Sequence, residues 1–104
     1  MNQLNSIIVE GCLVSAVFIK DSRNMVKGVE CVMSSNRCFK SDRGRYENWR
    51  NIFKFIAYGQ LARGATEILK EGTIVRVVGR LESNDMGNVY IVAEHIEAKP
   101  IENK

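Results

Sequence analysis

Residues 58–81 read YGQLARGATEILKEGTIVRVVGRL, and their periodicity changes once. In QLARGATEILK (60–70), Leu61, Ala65, Ile68 and Leu69 fall at i, i+4, i+7 and i+8, which is one face of a short amphipathic helix. Gly72 comes just after, where a left-handed residue closes a helix. From residue 73 the period becomes two. TIVRVVGRLE (73–82) sets Val75, Val77 and Leu81 against Arg76, Val78 and Arg80, the alternation of a strand.

Outward from this core the chain reads as strands. WRNIFKFIAY (49–58) runs directly into the helix as a third strand, and NSIIVEGCLVSAVFI (5–19) is a long first strand that bends at Gly11. KDSRNMVKG (20–28) is a hairpin connection. Residues 29–35 set Val29, Cys31 and Met33 against Glu30, Val32 and Ser34 as a half-buried second strand, and SDRGRYEN (41–48) reads as a mobile loop. SNDMGN (83–88) turns into a last strand, VYIVAEHIEA (89–98), and residues 99–104 are expected to fray. The order β-β-β-α-β-β in one domain of residues 1–104 is the layout of the mainly β, five-stranded Greek-key barrel called the OB-fold, with the helix plugging one end. An open α+β sheet is the competing layout.

Length and composition bound the function. The chain has 104 residues and a mass of 11.8 kDa, with 45% apolar and 26% charged residues, as expected of one folded domain. No apolar run is long enough to span a bilayer, and MNQLNSIIVEG lacks the pattern of a secretion signal. Cys12, Cys31 and Cys38 are an odd set without CxxC spacing, which fits free thiols in a reducing cytoplasm.

The net charge of +3 is unevenly placed. Residues 37–54 carry Arg37, Lys40, Arg43, Arg45, Arg50 and Lys54 against Asp42 and Glu47, an excess of four, while the rest of the chain sums to −1. Phe39, Tyr46, Trp49 and Phe53 lie in the same segment. Cations among aromatics suit a polyanion with flat bases, because cations neutralise phosphates and rings stack on bases. A solvated loop between two core strands is the plainer reading of the same residues. Alternation puts Arg50, Ile52, Lys54, Ile56 and Tyr58 on one face of the third strand and Trp49, Phe53, Phe55 and Ala57 on the other. A core needs the second face, and a nucleic-acid platform would use the first. Trp49 has core or interface parity unless it belongs to the preceding loop. Arg76 and Arg80 share a face of the fourth strand, as a solvated face or as phosphate contacts.

Catalysis has little to stand on. His95 is a lone histidine on a strand, and Glu94 and Glu97 beside it do not make a metal motif. No phosphate-binding glycine loop follows a strand. Neither cofactor nor metal is expected.

The stretch 58–81 resembles the bacterial single-stranded DNA-binding proteins, whose pattern there is an aromatic followed by G-K-L-A, a helix ending L-K-K-G, and a strand ending V-x-G-x-L. NSIIVEGCL near the start, SNRCFK (35–40) and VYIVAEHIE (89–97) are similar in the same order, so the likeness covers roughly residues 3–98. The resemblance implies a non-catalytic OB-fold that binds single-stranded DNA, usually as a homotetramer. It implies stacking roles for Phe39 and Tyr58, a phosphate contact at Lys54, and a subunit contact near Phe53. The chain departs from the family in three places. Ile52 stands where tryptophan is frequent, the hairpin after Leu81 is short, and the final KPIENK has neither a glycine-rich linker nor an acidic tip. Those departures imply weaker stacking and put recruitment of replication and repair enzymes in doubt. The short primosomal accessory proteins, dimers of the same fold, are also similar. An interaction module of that kind and an RNA- or tRNA-binding OB domain are the competing functions.

Overall fold

The computed structural model describes residues 3–99. Five strands and one helix follow in the expected order: β1 (Ile7–Lys20), β2 (Val26–Lys40), β3 (Tyr46–Tyr58), α1 (Gly59–Gly64), β4 (Ile74–Ser83) and β5 (Val89–Ala98). The strands close into a ring in the order β1-β2-β3-β5-β4, with β4 returning to β1. All pairs are antiparallel except β3 with β5, which is parallel at Phe55 and Ile56. This is the OB-fold barrel, and the open-sheet alternative falls.

Closure depends on two glycines. β1 pairs with β4 over Ile7–Cys12 and with β2 over Cys12–Lys20, so it changes neighbours at Gly11 and Cys12. A Cβ on Gly11 would overlap the carbonyl oxygen of Ser34, which is why the bend expected there needs glycine. On β4, the neighbour of β1, the β4–β5 register shifts between Val78 and Gly79, and a Cβ on Gly79 would overlap the carbonyl oxygen of Val92.

The core follows the alternation. Val29, Cys31 and Met33 from β2, Phe55 and Ala57 from β3, Val75 and Val77 from β4, and Ile91 from β5 are buried around Leu13. Burial pushes the Cys31 thiol up to about 12, so it packs as a small apolar residue. Ala62, Ala65 and Leu69 close one end of the barrel, with Leu61 and Ile68 half-buried beside them.

Three local expectations are corrected. The helix expected over 60–70 is six residues long. Gly64 is a poor helix former, and after it the chain continues in tight turns, with Ala65 N donating to Ala62 O and Ile68 N to Ala65 O. Gly72 does adopt a positive φ of 89°, in the turn leading into β4 instead of at the helix end. The largest difference concerns β2 and β3. They run to Lys40 and from Tyr46, so the expected loop over 41–48 shrinks to residues 41–45. Residues 100–104, most of the segment expected to fray, lie outside the described residues.

The three hairpin loops share one geometry. In each, the first residue donates its N–H to the fifth carbonyl while the fourth N–H returns to the first carbonyl: Asp21 with Met25, Ser41 with Arg45, and Asn84 with Asn88. The fourth residue is left-handed in every case: Asn24, Gly44 and Gly87. This is a type I turn followed by a bulge residue, which glycine or asparagine fills at the lowest strain.

Candidate nucleic-acid interface

β2 leaves β1 after Ser34 but stays paired with β3 as far as Lys40 and Tyr46. Residues 35–40 and 46–51 therefore form a two-stranded ribbon projecting from the barrel by about 20 Å, at 3.3–3.4 Å per residue. Its root is fastened by Ser35 Oγ, which donates to the Glu10 carbonyl at 2.8 Å, and by Asn51 Nδ2, which donates to the Ser35 carbonyl at 3.3 Å. The molecule measures 57 Å in its longest dimension and 24 Å in its shortest.

The positive segment is this ribbon together with the outer face of β3. Directly opposed residues of an antiparallel pair share a face. The register pairs Asn36 with Arg50, Cys38 with Asn48 and Lys40 with Tyr46 on the side that continues down β3 through Ile52, Lys54 and Tyr58. Arg50, Lys54 and Tyr58 thus share an exposed face as expected, and Tyr58 is 59% exposed. Tyr46, 78% exposed, joins them on that face, although the sequence reading left it out of the site. Its signal was its place among the cations of 37–54. Arg43 and Arg45 lie in the exposed loop at the ribbon tip.

The opposite side pairs Arg37 with Trp49 and Phe39 with Glu47. Trp49 has the parity of Phe53 and Phe55 but stands beyond the barrel, so it is 62% exposed instead of core. The Arg37 guanidinium carbon lies 5.2 Å from the centroid of the half-buried Phe39 ring, a cation–π contact that orients both groups. The two faces are therefore distinct, and Phe39 is not on the face of Tyr58.

Arg76 and Arg80 stand elsewhere. Glu10, Arg76 and Glu97 lie side by side across β1, β4 and β5. Arg76 bonds Glu10 at 3.1 Å and Glu97 at 3.2 Å, and Lys99 bonds Glu10 at 2.9 Å. Arg80 bonds Glu82 at 2.8 Å and approaches Glu94 at 3.9 Å. His95 ends this network, exposed, 3.6 Å from Glu97. The carboxylates offset the arginine charge, so this face has no surplus comparable to that of the ribbon.

Hydrogen bonds from Lys99 and then Arg76 hold the Glu10 carboxyl below the usual carboxylate range. A lowered folded-state value means that the contribution of Glu10 is present above the ordinary carboxylate range. It is lost as pH falls through the folded value. Acid unfolding of the Glu10→Gln variant should therefore show a shallower loss of stability below that range than the parent, by circular dichroism; identical acid limbs would contradict it. The effect is small, because the network is solvated.

Across β3, β5 and β4, Ile52, Leu81 and Val89 flank an apolar groove, with Lys54 and Tyr90 at its sides. Ile52 is 54% exposed there, on the strand face that also carries Arg50 and Lys54.

Barrel and ribbon together define an OB-fold with an aromatic, cationic platform. The Single-strand binding protein family model matches residues 4–97, and the chain belongs to that family, whose proteins bind single-stranded DNA and are not enzymes. A search of curated proteins by sequence found no match. Among solved structures, the chain is similar to the small single-stranded DNA-binding protein from Streptomyces coelicolor, with a TM-score of 0.73, 24% identity, and coverage of 95% of this chain and 96% of that one. It is similar to the Plasmodium falciparum SSB in complex with ssDNA at TM-score 0.77 and 15% identity, over 96% and 98%. A deletion mutant of the Thermus aquaticus single-stranded DNA binding protein matches at TM-score 0.77 and 19% identity over 93% of this chain, which spans about half of that longer chain (51%). The protein PriB from Ralstonia solanacearum matches at 0.68 and 15%, over 92% and 98%. At these identities the structural likeness establishes the fold. No helix among the described residues is long and apolar enough to cross a membrane.

Proposed function

We propose that this chain is one OB domain that binds single-stranded DNA without regard to base sequence, in replication, recombination or repair, in the cytoplasm and on the nucleoid. The observation that carries the reading is the continuous outer face of ribbon and β3. It places Lys40, Tyr46, Arg50, Lys54 and Tyr58 in one exposed track, with Arg43 and Arg45 at its tip. The cations follow phosphates while the rings stack on bases. Arg37, Phe39 and Trp49 supply further contacts on the ribbon's other face. Assembly is as a homotetramer, with a dimer as the alternative.

Poly-dT titrations of two single variants test the platform. Lys54→Ala should weaken binding uniformly across base compositions and lower the salt slope by about one contact. Arg76→Ala, whose guanidinium is held by Glu10 and Glu97, should leave both affinity and slope at parent values. If Arg76→Ala weakened binding as much as Lys54→Ala, the DNA would be crossing the β1-β4-β5 face instead.

The likeness to PriB over nearly its whole length supports a second reading, a replication-restart accessory acting mainly through protein contacts. Under it, a primosome protein binds the chain and poly-dT competes poorly. Matched RNA and DNA oligomers separate off the RNA-binding alternative, since the 2′-hydroxyl is the handle that distinguishes them.

A further inference from the structure

Both faces of the ribbon are solvated, and both carry rings. Tyr46 stands exposed on the face with Lys40 and Arg50, while Trp49 stands exposed on the other with Arg37 and Phe39. A strand of DNA following the outer track meets only the first set. To reach the second it must cross the ribbon's edge. An arm that merely extends into water gains nothing from exposed aromatic surface on its far side, because each ring leaves apolar area hydrated.

We infer that the ribbon is a two-sided platform: while one single-stranded segment lies along Lys40, Tyr46 and Arg50, a second lies on Arg37, Phe39 and Trp49. The inference rests on the single-stranded DNA reading above. Rings on both sides favour unpaired segments over a duplex, whose bases are already stacked and offer a groove only their edges. Charge sets the order of filling. Within the ribbon, the face with Lys40 and Arg50 has no carboxylate, whereas on the other face Glu47 offsets Arg37. The first segment is therefore held more tightly, and the second joins it across the thickness of one ribbon. This brings two segments, from one strand or from two, side by side.

The test uses the full chain at low salt and dT oligomers of about eight nucleotides, within the site size of a single OB fold. Anisotropy of a labelled oligomer counts the equivalents bound, and the emission of Trp49, the one tryptophan in the sequence, reports the far face. Two equivalents per chain are expected, the first with little change in emission and the second quenching it. Phe39→Ala should weaken the second phase by roughly 5- to 150-fold, and Tyr46→Ala the first phase by a similar factor. One equivalent per chain with quenching in proportion to binding would overturn the inference, because a single segment would then span both faces. One equivalent without quenching would also overturn it, since the far face would take no DNA or would be covered by a second copy of the chain. Absence of any binding would overturn the single-stranded DNA reading itself, and the inference with it.

Discussion

Gly79→Ala should melt far below the parent, by roughly 10–20 °C in a circular-dichroism scan. The added methyl group would overlap the Val92 carbonyl, and the next obstacles are the Val92 carbonyl carbon and the Ala93 Cα, all backbone. No side chain is there to rotate away. β4 is fixed on its other edge as well, because Gly79 pairs with Ile7 of β1. Relief therefore requires β5 to part from β4 at the register shift, opening the ring there. Overpacking into side chains costs about 1–3 kcal/mol, and a backbone obstacle puts this site at or above the top of that range. For a domain of this size each kcal/mol is about 4–8 °C of Tm. Gly64→Ala is the control: its Cβ meets nothing within 4 Å and its φ is not positive, so its Tm should match or slightly exceed the parent's. Equal melting of Gly79→Ala and the parent would mean that β5 does not approach β4 as closely as described.

The second large effect is on binding. Phe39→Ala combined with Tyr58→Ala should cost about 2–6 kcal/mol of poly-dT affinity, since each base–ring stack contributes about 1–3 kcal/mol. The two costs should add, because Phe39 pairs with Glu47 near the ribbon tip while Tyr58 pairs with Gly28 at the far end of β3. Neither substitution removes a charge, so the salt slope should stay at the parent value. That separates stacking from phosphate contact. If the Phe39 single variant bound like the parent, its ring would be acting only as the seat for the Arg37 guanidinium.

Most of the barrel was legible in the sequence because its strands bury one face. The alternation of Val29, Cys31 and Met33 and of Phe55 and Ala57 gave strand and face together, and each of these residues is fully buried. The ribbon was not legible for the converse reason. Asn36 to Lys40 and Tyr46 to Asn48 form a strand pair with solvent on both sides, so no periodic apolar row marks them. What marked that segment was composition, and it located the candidate platform without its shape. Trp49 shows the same gap. The sequence leaves it between the core face of the third strand and the preceding loop; it lies on the strand with the parity of Phe53 and Phe55, yet parity implies burial only where a second layer lies opposite. Arg76 and Arg80 could not be assigned from the chain alone, because Glu10 is 66 residues from Arg76 and becomes its neighbour only through the β1–β4 register. The helix was read too long because the apolar spacing of Leu61, Ala65, Ile68 and Leu69 survives in the turns after Gly64, which still direct Ala65 and Leu69 into the barrel.

A salt-dependent poly-dT titration of the intact chain, followed by Trp49 emission and by anisotropy, tests the central claim. If Arg37, Lys40, Arg43, Arg45, Arg50 and Lys54 all engage phosphates, log K should fall against log salt with a slope of about −4, at roughly 0.7 per contact on a single strand. Between 50 and 200 mM salt that is a loss of about 300-fold in affinity. Duplex DNA of equal length should bind more weakly at every salt concentration, because its stacked bases give the rings nothing to cover. Saturable binding with a steep slope and a preference for the single strand is the result expected. No saturable binding at low salt, or equal binding of duplex and single strand, would contradict the account.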